Sequence, residues 1–225
     1  MNRIIVVVEG DSEEKFVNQL LKPFFFQKGI KIEAQKWFTN KKLGSSGGGQ
    51  SFDLIENHLK KLISQFKNNK SVVITTMIDL YAFPKQGKTI YSTEIENLKS
   101  KEKIKLLESR FLNRFENYYL FVPYIQLHEF ETLLFSNIEK CITYYFEDEK
   151  QIQQLKKEVI DLKPEEINET PSGSPSNRII KYLPKYKKEK TTASIVILNE
   201  IGLDVIIEKC PNFKNWIFKL ENIFQ

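Results

Sequence analysis

A charge-free run of five β-branched residues, Ile4-Ile5-Val6-Val7-Val8, ends abruptly on Glu9 and Gly10. Such a run fits a strand buried on both faces, the kind found inside a parallel sheet. Asp11-Ser12-Glu13-Glu14 then supplies helix-start chemistry: an N-cap at Asp11 or Ser12, and Glu14 three residues beyond Asp11 to close a capping box. Phe16, Val17, Leu20, Leu21 and Phe24 follow at helical spacing. Glu9 is therefore expected at the carboxyl end of a central strand, on the strand-to-helix turn. Open α/β sheets bind ligands along that edge. A carboxylate there either faces the crevice or merely solvates the turn.

The same theme returns twice. Residues 71–80 (SVVITTMIDL) are apolar and β-branched and finish on Asp79, before Tyr81-Ala82-Phe83-Pro84 forces a turn. Residues 118–126 (YYLFVPYIQ) read as a further strand that flows into residues 127–135, where Leu127, Phe130 and Leu134 mark a helical face. Glu129 and Glu131 follow that strand, and His128 stands one helical turn before Glu131, spaced to orient it, to carry a proton or to hydrogen-bond it. Parallel neighbouring strands would gather Glu9, Asp79 and the Glu129/Glu131 pair at one edge. Crowded carboxylates repel one another, and desolvation adds to the cost. A hard divalent cation such as Mg²⁺ removes that cost and suits oxygen ligands. Such a site would activate water and neutralise charge on a phosphodiester.

Between these strands, residues 30–38 (IKIEAQKWF) alternate well enough for a strand, and residues 51–66 open a helix with His58 on or beside its apolar face. Residues 39–50 (TNKKLGSSGGGQ) are a glycine-rich loop with Lys41 and Lys42 beside it. Its amides would suit an anion, but it lacks the Lys-Ser/Thr ending of a Walker motif. Four glycines within residues 44–49 carry a large ordering entropy, so mobility is expected without ligand. Residues 92–115 are charged and helical. After Ser136 strand-like runs become scarce and helical segments alternate with proline-rich breaks. The expected architecture is an α/β, Rossmann-like, mostly parallel sheet flanked by helices over residues 1–136, with a helical carboxy-terminal lobe over 137–225.

With 41% hydrophobic residues, the 225-residue chain can bury a sizeable core. A net charge of +5 permits a polyanionic partner without demanding one. Cys141 and Cys210 have no CxxC spacing, and only two histidines are present, which argues against disulfide and zinc frameworks. No apolar run approaches the roughly 20 residues that span a bilayer, so a cytoplasmic protein is expected.

The segments VEGDSEEKF, TTMIDLYAFP, FVPYIQLHEFETLLF, PEEIN, PSNRI, IGL and CPNFKNW together resemble the prokaryotic domain-of-unknown-function family 4276. That family is similar to the TOPRIM fold of topoisomerases, primases and overcoming-lysogenization-defect (OLD) nucleases. The resemblance spans nearly the whole chain. It implies a TOPRIM-like core with a site for Mg²⁺ (or Mn²⁺), in which Glu9 and Asp79 hold metal. The usual Asp-x-Asp of TOPRIM proteins is Asp79-Leu80-Tyr81 here, so Glu131 or Glu129 would supply the missing ligand. Ser176, Asn177 and Arg178 begin a helix suited to phosphate, although the family carries a lysine where Asn177 stands. Tyr186, Lys187, Lys188 and Lys190 form a basic, aromatic-interleaved patch suited to a nucleic-acid backbone. The resemblance therefore implies a Mg²⁺-dependent nuclease in a prokaryotic defence or repair module, often beside an ATPase partner. Its alternatives are a non-catalytic module binding that ATPase and a nucleotide-binding regulator using the glycine loop. On the cleft version of the nuclease reading, Arg178 and the lysine patch face the acids across the carboxyl edge.

Overall fold

The computed structural model describes residues 1–37, 51–167 and 173–225. The expected glycine-rich loop and its mobility lie outside the described residues. The five β-branched residues form the buried heart of β1 (Asn2–Val8). β1 pairs in parallel with β2 (Ile30–Lys36) on one side and β3 (Val72–Asp79) on the other. β4 (Phe121–Val122) and β5 (Ile125–Gln126) both add in parallel to the far side of β3. The order β2-β1-β3-β4 places β1 and β3, the two richest β-branched runs, at the centre.

The expected single strand over residues 118–126 is two short ones, and Pro123 is the cause. Proline has no N–H for the ladder, and the side chain of Thr76 fills the gap. Its Oγ1 accepts from the Tyr124 N–H and donates to the Tyr124 carbonyl, both at 2.9 Å.

After β1 the chain enters α1 (Asp11–Phe16), a π turn (Val17–Leu21) and α2 (Lys22–Phe26), all in continuous helical conformation. Pro23 explains the π turn: inside an α-helix it would remove one hydrogen bond and clash with the carbonyl four residues earlier. A wider turn absorbs both effects.

Helices cover both faces. On one, α3 (Phe52–Phe66) and α5 (Ser100–Arg114) enclose an aromatic group in which Phe111 meets Phe52, Phe83, Phe115 and Phe121 at ring separations of 5.3–6.2 Å. Buried Glu56 of α3 joins α5 through a two-pronged bond from Arg114, at 2.9 and 3.1 Å. The charged stretch expected as one helix breaks into α4 (Thr93–Glu96) and α5.

On the opposite face, Phe16 meets Phe130 and Phe213, and Tyr124 stacks on Trp216 at 4.4 Å. Phe213 and Trp216 belong to α10 (Pro211–Asn222), near the end of the chain. Trp216 Nε1–H donates to Thr75 Oγ1 at 2.8 Å in the middle of β3. α6 (Glu149–Glu158), α7 (Pro175–Tyr182), α8 (Tyr186–Ile201) and α9 (Leu203–Lys209) complete this side. One hydrophobic core runs from Ile4 to Leu220. Gly202, at φ 82°, ends α8.

The segment expected as a helix from Leu127 starts later, as a long 3-10 helix (Phe130–Thr143) kinked at Asn137. His128 precedes it at φ 65°, a left-handed conformation uncommon for a residue with a Cβ. Strand-like bonding persists to that point, because the Tyr81 N–H donates to the His128 carbonyl at 3.1 Å. The reversal at His128 then turns the chain into the 3-10 helix. No described helix is long and apolar enough to cross a membrane.

Replacing Trp216 by Phe keeps most of the packing but removes the bond to Thr75 and weakens the Tyr124 stack. The expected loss is about 1–3 kcal/mol in urea denaturation, with a single transition followed by both fluorescence and circular dichroism. Two separate transitions in the wild-type protein would show that the sheet and the late helices do not share one cooperative core.

Candidate functional site

The register of the central strands builds the site. Val8 lies opposite Met77, so Glu9 and Asp79 leave neighbouring strands at nearly the same height. Between β1 and β3 the connections diverge, β1 leading to β2 on one side and β3 leading to β4 on the other. A crevice at the carboxyl ends of such strands is where doubly wound sheets bind ligands.

Glu9, Glu13, Asp79 and Glu131 line one cavity there, of about 270 Å³. Glu13 comes from the first turn of α1. Its Oε2 accepts the Gly10 N–H at 3.1 Å, so Gly10 is the N-cap, one or two residues earlier than the expected Asp11 or Ser12. A Cβ on Gly10 would stand 3.0 Å from that oxygen, a tight contact that Glu13 would have to yield to. Glu14 does not close the box; it pairs with Lys36 on the outer side, as does Asp11.

Asp79 Oδ1 is buried with no hydrogen-bond partner among the described residues, although the Phe130 backbone donates to the Asp79 carboxyl. Glu131 is buried on the 3-10 helix, where its Oε1 receives Tyr186 O–H at 3.3 Å and Lys190 Nζ at 3.0 Å. Burial pushes the Glu9 carboxyl up to about 7. Burial, reinforced by Glu9 and Glu131, pushes Glu13 to about 7 despite the Gly10 bond. Asp79 is raised well above the usual carboxylate range, first by burial and then by Glu13, Glu131 and Glu9.

Only one positive charge, Lys190, meets this cluster among the described ion pairs. The donor set fits a hard divalent cation: carboxylate oxygens, one of them orphaned, and acids driven toward their neutral forms. As the side chains stand, no three His, Cys, Asp or Glu among the described residues are placed to hold a metal ion. Closing on one would take side-chain rotation, for which the two-carbon stems of Glu9 and Glu13 allow.

The other expected site residues lie elsewhere. Glu129, only two residues before Glu131, turns to a neighbouring cavity, where its Oε2 accepts the Ser176 N–H at 2.9 Å. The α7 amino terminus expected to receive phosphate thus already holds a carboxylate of the same chain. Arg178 does not face the acids: it pairs with Glu158 of α6, and its Nε–H donates to the Gly173 carbonyl at 2.9 Å. His128 is buried with Nε2 3.4 Å from the Glu165 carbonyl, so it neither orients Glu131 nor reaches the acidic cavity. Its positive φ, rather than a helical turn, sets that direction. Lys187 and Lys188 are exposed on the first turn of α8.

Three residues at the cluster escape a reading of strand ends alone. Glu13 sits three and four residues before Phe16 and Val17, on the buried stripe of the first helix, and that phase is the signal that finds it. Tyr186 and Lys190 belong to the basic patch, and α8 turns these two inward.

The model of the family described as Domain of unknown function (DUF4276) matches residues 8–221. The chain belongs to this family. No curated protein and no solved structure matches it. The matched span contains all four carboxylates. It also contains contacts that tie the distant motif blocks together: Glu129 to Ser176, and Glu165 to the Asn212 and Phe213 amides at the start of α10.

Acids whose folded-state pKa is raised disfavour the fold once pH exceeds their unfolded value. For Glu9 and Glu13 the penalty is absent below about pH 4.5 and complete above about pH 7. Glu13→Gln keeps an acceptor for Gly10 but removes the charge. It is expected to raise stability by on the order of 1–2 kcal/mol at pH 8, and to change little at pH 4.5. Denaturation curves at the two pH values, without divalent ions, measure this; equal effects at both would show that Glu13 is not held near neutrality.

Proposed function

We propose that the acidic cavity binds Mg²⁺ or Mn²⁺ and that the protein is a metal-dependent phosphodiesterase acting on nucleic acid. The observation that carries this reading is the placement of four carboxylates, one with an orphaned oxygen, at the divergence of β1 and β3. Glu9, Asp79 and Glu131 would hold the ion. A cation bound there would neutralise charge on a phosphodiester and lower the pKa of bound water.

The protein's own groups divide the remaining work. Glu13, titrating near neutrality, is matched to proton transfer at physiological pH. Lys190 and Tyr186 hold the Glu131 carboxylate in position. Lys187 lies one turn before Lys190 on α8, and Lys188 follows it, so both would serve phosphates that flank the cleaved bond. Arg178 has no part in this version. A TOPRIM-type kinship, a defence or repair setting and an ATPase partner belong to the same proposal and rest on the resemblance of the motif blocks.

A second reading is a non-catalytic module that retains the fold and binds an ATPase. It is favoured by Lys190, which already supplies a positive charge to Glu131, and by Tyr81 at the position where TOPRIM proteins carry a second aspartate.

Two measurements separate these readings. In thermal denaturation, Mg²⁺ or Mn²⁺ should raise Tm at pH 8 and much less at pH 5.5, because protonated carboxyls do not ligate. Asp79→Asn should remove the effect. In a nuclease assay with either ion, Glu9→Gln and Asp79→Asn should each reduce cleavage by about 10²–10³-fold. A metal-dependent Tm shift without cleavage would leave the interaction module; no shift at pH 8 would end the metal-site reading.

A further inference from the structure

A second cavity, of about 440 Å³, is lined by residues that interleave in sequence with those of the acidic one. Asp79 and Ala82 line the acidic cavity while the intervening Leu80 and Tyr81 line the second. Glu131 lines the first, and Glu129 the second. Residues 79–82 and 129–131 thus contribute to both spaces, neighbouring residues lining one and then the other.

Their chemistry is opposite. The second cavity presents Lys85 and Lys103, with half-buried Tyr81 and Tyr91 and the small polar groups of Ser100 and Ser174. Lys103 is half-buried and makes no ion pair among the described residues, and Lys85 makes only a cation–π contact, its Nζ 4.6 Å from the centre of the Tyr91 ring. Glu129 is the single acid among the described lining residues, and its Oε2 is bound by the Ser176 N–H. The amino ends of α5 and α7 reach this cavity at Ser100 and Ser174, each already capped by an acid of the chain, Glu102 and Glu129.

The aromatic wall is held in place. Arg110 donates to the Ile90 carbonyl at 2.9 Å and to Ser92 Oγ at 2.8 Å, clamping the chain on both sides of Tyr91. The Tyr91 N–H also donates to Thr89 Oγ1 at 3.0 Å. Tyr81 is fixed by its backbone bond to His128 and by the edge of the His128 ring at 5.5 Å. Preformed aromatic faces beside cations are how single-stranded nucleic acid is gripped without base-specific contacts. The volume falls within the roughly 300–1,000 Å³ usual for small-ligand sites.

We propose that this cavity holds one nucleotide of a single-stranded nucleic acid, its base against Tyr81 or Tyr91 and its phosphates on Lys85 and Lys103. The inference rests on the phosphodiesterase reading for its account of the neighbouring acids, and it names the substrate as unpaired strand. A base that is paired and stacked in a duplex has no free face to lay against Tyr81 or Tyr91. The separation of functions is then spatial: acids at the bond to be cut, lysines and tyrosines on the adjoining nucleotide.

The test uses the full-length protein and a fluorescein-labelled ten-nucleotide oligothymidylate, followed by anisotropy in EDTA so that binding does not require metal. Wild type should bind, and a double-stranded oligonucleotide of the same length should bind more weakly. Lys85→Ala/Lys103→Ala should lose about tenfold or more in affinity, and its salt slope should fall by about 1.4, as expected for two lost single-strand phosphate contacts. Tyr91→Ala should lose affinity with an unchanged slope. Circular dichroism confirms that each variant is folded, and Lys85→Gln and Lys103→Gln serve as milder single changes. Glu9→Gln should bind at least as tightly as wild type.

No binding by wild type, or wild-type affinity and slope in the lysine variants, would overturn the pocket. The outcomes also separate this inference from the reading beneath it. Binding that depends on Lys85 and Lys103 without cleavage in Mg²⁺ or Mn²⁺ keeps the pocket and ends the phosphodiesterase. Cleavage that is indifferent to the lysines and Tyr91 keeps the enzyme and ends the pocket.

Discussion

Strands β1 and β3 run side by side in parallel from Arg3 opposite Val72 to Val8 opposite Met77, and their carboxyl ends bring Glu9 and Asp79 to within one residue of the same level. Both strands are buried on both faces, so neither can slip by one residue without turning an apolar face out of register. The height of Glu9 and Asp79 at the sheet edge is therefore fixed by core packing rather than by contacts within the edge itself. The backbone therefore keeps the acids at this edge, and only rotation of their side chains can change their spacing. Glu13, Glu131, Tyr186 and Lys190 are arranged around that imposed pair, from three separate helical segments.

The strong strands and the acids at their ends were legible in the chain because β-branched runs of that length admit few other placements. The fine structure of the later strand was not, since the role of Pro123 depends on Thr76, which lies across the ladder. Glu13 was hidden by its neighbours: in a run of acids at a helix start, capping chemistry fits several positions, and only the helical phase distinguishes the inward one. His128 was placed on a helix by its spacing to Glu131. A left-handed residue at that point, set by bonding to Tyr81, overrides the periodicity of the following segment. Arg178 and Glu129 show a further limit. Each has the right chemistry for phosphate or metal, and each is engaged by a partner distant in sequence, Glu158 and Ser176, that no local pattern reveals.

Several of the blocks that carry the family resemblance meet one another in space. The acid of the Pro164–Glu166 turn, Glu165, caps α10, and the acid of the His128-Glu129 pair caps α7. Carboxylates at helix amino termini satisfy amides that would otherwise be orphaned in the interior. These acids have capping tasks, as Glu13 has at Gly10, whereas Glu9 at the end of β1 caps no helix among the described residues.

The π turn in the first helical stretch has a consequence for how this edge can vary. It holds one more residue per turn than the α-helix on either side, so α1 and α2 are set in different rotational phase about a common axis. The distal half packs on β2, and the proximal half aims Glu13 into the cavity. Removing a single residue between them would restore a regular helix and still bury its apolar stripe. It would also swing the first turn around the axis and carry Glu13 out of the cluster. Length in this segment is thus under a stricter constraint than composition: Leu may stand for Val along the stripe, but the count from Gly10 to Pro23 sets the aim of a carboxylate.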